Sequence, residues 1–398
     1  MTGKAKPVRL AIVVSHPIQY YVPLYQRLAR DPDIALKVFY MSDISIRGGF
    51  DPGFGGEVKW NIDLLEGYDH EFVGKHYRSI NPNRFTATVV PELFGKILQG
   101  RFDAVLLNGY AQAGNLFALA GALLSRTKVL VRSDSNAELL AGKPQRLPKR
   151  LYVKGFFAAC HRMLVSGQRN RDFYRYWGVP DRKLILAPFT VDNDRFYRDS
   201  RLDADACAAL RHSLGCPDDR PILLFASKFV RRKQPDLTIR AAGELARAGH
   251  RLHLVMAGSG EMDEELRAIA AEYPELSIHF TGFVNQAEMP PLLGAADVFV
   301  FPSTGEPWGL IVNEAMAAGL PVIVGDDSGC APDLVEPGVN GYLTQARDLD
   351  SIRRAIEPLV ADAGLRASMA QASLNRISRW SLRETVEGVR QALGLSRA

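Results

Sequence analysis

The chain has 398 residues, 47% of them hydrophobic and 23% charged; that is too long for one ordinary core, fits two domains of roughly 150–200 residues, and is the composition of a soluble globular protein. No apolar run approaches the roughly 20 residues needed to cross a bilayer, and Cys160, Cys207, Cys216 and Cys330 form neither a C-x-x-C pair nor a disulfide framework. Net charge is +5, but residues 1–187 carry a balance of +12 and residues 188–398 one of −7, so the first half either seeks an anionic partner (a membrane surface, an acidic glycan, a lipid phosphate) or presents a solvated basic face.

Residues 1–6 are short and polar, and residues 10–14 read as a buried strand, not the apolar core of a signal peptide. A cytoplasmic location is the expectation. An amphipathic stretch follows at 22–29, and residues 35–40 are a second strand candidate. Residues 104–107 and 129–131 are two more, separated by the Ala- and Leu-rich stretch 115–124, and 163–166 is the next. The second half repeats the alternation more cleanly, with strands expected at 222–226, 252–257, 278–281, 298–301 and 322–324. Helical stretches lie between them at 235–246, 262–271, 287–293 and 310–318, the last ending on Gly319. Strands alternating with helices imply parallel pairing in doubly wound sheets. The expected fold is therefore α/β with two doubly wound, Rossmann-like domains facing across a cleft. Apolar periodicity lapses at 188–201, which places the boundary there: 1–187 and 188–375, with 376–398 as a terminal segment.

In such sheets ligands bind outside the carboxyl ends of the strands, where loops meet helix N-termini. The loop after 298–301 reads Pro302-Ser303-Thr304-Gly305-Glu306-Pro307-Trp308-Gly309, and a helix then carries Glu314. Pro307 suits the first turn of a helix. Backbone N–H groups near Gly309 and Leu310 make an anion site, and Gly309 permits close approach of a ligand. Eight positions from Glu306 to Glu314 span roughly 12 Å of helix at ~1.5 Å per residue, about the reach from a sugar ring across a diphosphate to a ribose. Carboxylates suit sugars because they accept paired hydrogen bonds from neighbouring hydroxyls. The bland alternative is one capping and one surface glutamate.

A cationic loop, Ala226-Ser227-Lys228-Phe229-Val230-Arg231-Arg232-Lys233, follows the strand at 222–226. Cations at a strand end suit a departing diphosphate, whose charge must be neutralised; a solvated basic loop is the alternative. Ala257-Gly258-Ser259-Gly260 is a tight strand-to-helix turn and only part of a G-x-G-x-x-G, since Asp263 takes the last position. Gly282-Phe283-Val284 follows the next strand and could set backbone groups against a base.

Together and in this order, these pieces resemble the family-4 retaining glycosyltransferases (glycosyl transferases group 1), which have the GT-B fold. The resemblance is strongest over 222–345. It implies that Glu306 contacts the donor sugar and Glu314 the ribose. Backbone groups of Trp308, Gly309, Leu310 and Ile311 would contact sugar and phosphate, with Gly258, Phe283 and Val284 completing the donor side. The family's diphosphate pair falls on Lys228 and Lys233, so the implied catalytic set is Glu306, Lys233 and Lys228. Lys228 departs from the usual Arg: the charge survives but the planar two-pronged contact does not. The segment Asp326-Asp327-Ser328-Gly329 would lie at the cleft. Trp380 followed by 382–393 fits the family's last helix, which returns to the first domain.

The first half is similar mainly in outline. The usual histidine loop corresponds to Arg132-Ser133-Asp134, without a histidine. The Gly-rich loop after the first strand is replaced by Ser15-His16-Pro17-Ile18-Gln19-Tyr20-Tyr21. His16, Gln19, Tyr20, Arg132 and Asp134 are the candidate acceptor-side residues, with a capped turn of packed tyrosines as the alternative. Asp192-Asn193-Asp194 has the look of a D-x-D metal motif, but in a linker it reads as a turn. The resemblance implies no metal, and no cofactor is expected beyond a nucleoside-diphosphate sugar as donor substrate.

Residues 143–154 hold Lys143, Arg146, Lys149, Arg150 and Lys154 with Leu151, Tyr152 and Phe156 nearby. That basic amphipathic pattern points to peripheral contact at the inner face of an anionic membrane, or to a solvated helix face. The expected function is a metal-independent, retaining hexosyltransferase acting on a lipid-linked or polysaccharide glycan acceptor of the cell envelope, with no nucleic-acid partner. A sugar-nucleotide epimerase or hydrolase and a non-catalytic scaffold are the rivals. A nicotinamide dehydrogenase is poorer, because no full G-x-G-x-x-G opens either half.

Overall fold

The computed structural model describes residues 6–51, 53–74, 85–140 and 145–395. Its strands, in chain order, are β1 (Val8–Val14), β2 (Ile34–Tyr40), β3 (Gly49–Asp51), β4 (Gly56–Val58), β5 (His70–Phe72), β6 (Ala104–Asn108), β7 (Lys128–Arg132), β8 (Arg162–Val165) and β9 (Leu184–Leu186). The second half adds β10 (Ile222–Ala226), β11 (His253–Ala257), β12 (Ser277–Gly282), β13 (Val298–Phe301), β14 (Val322–Gly325) and β15 (Gly341–Thr344). They form a seven-stranded sheet in the order β5-β2-β1-β6-β7-β8-β9, a six-stranded sheet in the order β12-β11-β10-β13-β14-β15, and a two-stranded ribbon, β3-β4.

Both large sheets are parallel throughout. Helices cover a parallel sheet on both faces, so its strands read as unbroken apolar runs. Every residue of β10 is buried, and so are residues 10–14 of β1. The first sheet packs one apolar layer on each face. Each sheet reverses its strand order once, between β1 and β6 in the first and between β10 and β13 in the second. Such a switch point opens a crevice beyond the strands' carboxyl ends.

The chain divides into two compact units. The first holds Met1–Gly49, Val58–Phe189 and Leu382–Ala398; the second holds Phe50–Glu57 and Thr190–Ser381. The helix Leu382–Leu393 therefore belongs to the first unit. Gly388 lies so close to β9 that a β-carbon would stand 2.2 Å from the Leu186 carbonyl oxygen. Thr385 Oγ1 donates to the Pro188 carbonyl at 2.8 Å. Asp192 is a helix cap: its carboxylate accepts from the Arg195 N–H at 3.2 Å and starts the helix Asn193–Asp199. Cys160, Cys216 and Cys330 are buried thiols, and burial pushes that of Cys160 up to about 12. Among the described residues no helix is long and apolar enough to cross a membrane.

Candidate active site

Two loops flank the switch point of the second sheet, one leaving β10 and one leaving β13. The β10 loop ends in a single 3-10 turn, Arg231–Lys233, followed by Gln234 in the left-handed region at φ +52°. That conformation is uncommon for a side-chain-bearing residue, and the buried Gln234 side chain secures it. Its amide donates to the Pro302 carbonyl, and its carbonyl oxygen accepts from the Arg347 N–H at 2.8 Å. The turn separates three adjacent cations. Arg231 pairs with Glu265 at 2.7 Å, whereas Arg232 and Lys233 both reach Glu306.

Glu306 is the hub of the β13 loop. One carboxylate oxygen, Oε2, accepts from Lys233 Nζ and from Arg232 Nη1 at 2.5 Å. Ser303 Oγ lies 3.4 Å from the same oxygen. Burial would push this carboxyl up, but Lys233 and Arg232 outweigh it and hold it below the ordinary carboxylate range. Glu306 is therefore an anion at neutral pH. Burial pulls the Lys233 ammonium down from its ordinary value while Glu306 opposes the shift. The same ammonium sits 4.5 Å from the centre of the Phe301 ring, a cation–π contact. The Thr304 N–H donates to the Arg232 carbonyl at 2.7 Å, joining the loops by backbone as well.

Gly309 starts the helix Leu310–Ala317 at φ +98°, where a side chain would be strained and a β-carbon would stand 3.1 Å from the Phe301 ring. Leu310 and Ile311 are half-buried in the first turn, where N–H groups lack intrahelical acceptors. The Trp308 side chain is a packing group: its indole N–H donates to Asn313 Oδ1 at 2.9 Å and its ring stacks on Trp380 with centres 6.1 Å apart. Glu314, expected at a ribose, is 0% exposed on the same helix. The segment 326–329 adjoins the Glu306 loop. Asp327 accepts from the Gly305 N–H at 2.9 Å, and the Gly329 N–H donates to the Glu306 carbonyl at 2.9 Å.

Gly258 and Gly260 act through close packing. A β-carbon on Gly258 would stand 1.9 Å from the Ser227 carbonyl oxygen, and one on Gly260 would stand 2.6 Å from that of Phe229. The loops leaving β10 and β11 therefore lie against each other. Phe283 and Val284 are half-buried in the loop after β12. Lys228 points to a different carboxylate from Lys233: its ammonium pairs with Asp51.

In the first unit, His16 follows β1 and Arg132 ends β7. The buried Arg132 guanidinium lies 5.7 Å from the Tyr21 ring centre and 4.5 Å from that of Phe189. Arg132 Nη2 also donates to the Pro188 carbonyl at 2.9 Å. Burial pushes the Tyr21 hydroxyl up to about 12; Arg132 opposes that shift and Asp134 adds to it. His16 Nδ1 lies 2.9 Å from Ser15 Oγ, and burial pushes the imidazole down to about 4, so His16 is neutral at pH 7. Gln19 and Tyr20 are half-buried in the turn before the helix Val22–Ala29, and Asp134 is exposed. Tyr21, Phe189 and Arg132 thus form one cluster, and the Asp134 charge acts on Tyr21.

Comparison with known proteins gives a family match within the second half and a shared fold over the whole chain. Residues 208–376 match the Glycosyl transferases group 1 family, and they contain Lys228, Lys233, Glu306 and Glu314. The fold is the GT-B type, shared with solved structures at 18–19% identity, which speaks for the fold alone. Anabaena HepE in complex with UDP has a TM-score of 0.74, covering 98% of this chain and 99% of that one. Sucrose-phosphate synthase of Thermosynechococcus elongatus has a TM-score of 0.74, covering 98% and 100%.

Individual relatives are similar over part of the chain. The GDP-mannose-dependent alpha-(1-6)-phosphatidylinositol monomannoside mannosyltransferase of Mycolicibacterium smegmatis is 35% identical over 201 residues, 48% of this chain and 51% of that protein. The D-inositol 3-phosphate glycosyltransferase of Streptomyces avermitilis is 31% identical over 250 residues, 60% of this chain and 53% of that protein. The chain spans about half the length of the curated relatives it matches.

Three groups at the site escape sequence reasoning. Arg232 is one of three equal cations in a row until the 3-10 turn sorts them. Gln234 carries no motif, although a polar residue just before Pro235 at a helix start is a place to look for a loop tie. Asp51 lies 177 positions from Lys228, and nothing local marks it.

Proposed function

We propose that the protein is a retaining glycosyltransferase that moves a hexose-like unit from a nucleoside-diphosphate sugar to a glycan or lipid-linked acceptor. The observation that carries this is the Lys233–Glu306–Arg232 cluster at the second sheet's switch point, inside the matched domain. Glu306, held as an anion, orients sugar hydroxyls. Lys228, Lys233 and the amides at the start of Leu310–Ala317 neutralise the departing diphosphate. The bond from the anomeric carbon to the diphosphate breaks as a bond to the acceptor oxygen forms on the same face. The acceptor's proton passes to a phosphate oxygen, so neither a protein nucleophile nor a metal is required. The names of the relatives, which include mannosyl and inositol glycosyltransferases, favour a donor of this class.

Thermal melting with UDP-, GDP- and ADP-sugars tests the donor. A ligand at 100 times its Kd stabilises the native state by about 2.7 kcal/mol, so one base should raise the melting temperature by several degrees. No shift with any nucleoside diphosphate or sugar nucleotide would sink the proposal. Donor consumption without an acceptor would mark an epimerase or hydrolase.

The acceptor side includes the surface of the helix Leu147–Ala159, which we propose lies on the anionic inner face of a membrane. Leu147 and Leu151, one turn apart, are each 65% exposed. Arg146, Lys149, Arg150 and Lys154 are exposed around them; Lys143 lies outside the described residues. Exposed leucines ringed by cations suit a headgroup boundary. The protein should sediment with vesicles containing anionic phospholipid and not with zwitterionic ones, and L147E/L151E should abolish this. Equal partitioning of the variant and the unaltered protein would refute it.

A further inference from the structure

The ribbon's tip, Phe50–Glu57, clusters with the second unit and touches all three loops that the donor reading uses on that side. From the tip, Asp51 holds the Lys228 ammonium with both carboxylate oxygens, each at 2.8 Å. That ammonium also lies 4.7 Å from the centre of the Phe54 ring. The Phe54 carbonyl accepts from Ser259 Oγ at 2.9 Å, in the loop after β11. Its ring meets Phe283, after β12, edge-on with centres 4.9 Å apart. Gly53 allows the close approach, since a β-carbon there would stand 2.6 Å from Lys228 Cδ.

We infer that Asp51 is a donor-site residue: an internal anion that competes with the donor's diphosphate for Lys228. The inference rests on the donor reading above. A carboxylate and a phosphate offer an ammonium the same kind of oxygen acceptor, and Lys has three donors on one compact charge. With two of its contacts on Asp51 and an aromatic face beside it, Lys228 cannot serve a diphosphate fully unless Asp51 yields. The ribbon then sets how tightly a nucleoside diphosphate is held, and Asp51's return helps the product leave. A ribbon with a merely structural role makes the opposite prediction, because loosening it would remove a wall and weaken binding.

Titration calorimetry of the full chain with UDP and GDP, and with uridine and guanosine, tests this. Asp51→Asn removes the charge yet keeps Oδ1, which accepts from the Gly53 N–H at 2.8 Å. Asp51→Ser keeps a turn-forming acceptor and serves if the first variant does not fold. The Kd for the binding nucleoside diphosphate should fall by about three- to ten-fold in D51N, the range for freeing a partly exposed, charge-assisted pair. The nucleoside lacking phosphates should show no change. An unchanged or weaker diphosphate affinity overturns the inference and leaves the donor reading standing. Equal tightening for the nucleoside overturns it too, since the effect would not then lie in the charge. Failure of both proteins to bind any nucleoside diphosphate overturns the inference and the donor reading together.

Discussion

Replacing Lys233 with alanine is expected to lower turnover at saturating donor by about 10²–10³-fold, the cost of losing one preorganised charge aimed at a leaving group. Two features support a loss of that size. Lys233 is buried, so its field is little screened by water. It is also placed on Glu306 by a turn that Gln234 locks from both ends. Glu306→Gln should cost a comparable factor, because it leaves Lys233 and Arg232 with a neutral amide oxygen in place of the carboxylate they share. Since the two residues act as one unit, the double variant should be little worse than the poorer single one. Steady-state kinetics beside a melting curve check this, and near-wild-type turnover in folded K233A would refute the assignment. A fully additive double variant would mean that Lys233 and Glu306 work separately.

The second large effect concerns stability. Arg390, on the helix Leu382–Leu393, donates from Nη1 to Asp31 at 2.6 Å and from Nη2 to Asp33 at 2.9 Å. Arg390 and Asp31 are both nearly inaccessible to solvent, whereas Asp33 is exposed. Removing one member of a buried ion pair leaves the other charge desolvated without compensation. Arg390→Ala should therefore cost about 2–4 kcal/mol in urea unfolding. The helix also places Val389 and Leu393 in the core against the first sheet, so its release would expose apolar surface too. A loss below about 0.5 kcal/mol, the scale of an ordinary surface substitution, would show the pair to be dispensable.

The doubly wound class was legible because parallel strands buried on both faces cannot hide: the runs at 10–14, 222–226 and 298–301 are apolar throughout. The short edge strands were not. β5 is His70–Phe72, with no buried residue, and three half-covered residues carry no pattern that separates strand from loop. The loops of the candidate site were readable from their place after buried strands. The partners within them were not. Lys233 and Glu306 are 73 positions apart, and which of Arg231, Arg232 and Lys233 turns inward depends on a left-handed residue that no local propensity favours. The spacing from Glu306 to Glu314 was legible too, but the full burial of the Glu314 side chain was not. Spacing along a helix sets distance, but burial is decided by what packs against that face.

The allocation of Phe50–Glu57 has a consequence for anyone who would recombine such proteins. The chain passes between its two units four times, after Gly49, Glu57, Phe189 and Ser381. A chimaera joined only at Phe189 would inherit its Lys228 from one parent and its Asp51 from the other. It would also separate the helix Leu382–Leu393 from Asp31 and Asp33. Exchange of whole units therefore requires three segments to travel together, and a fragment cut at 190 and 381 would leave Lys228 without the carboxylate it pairs with.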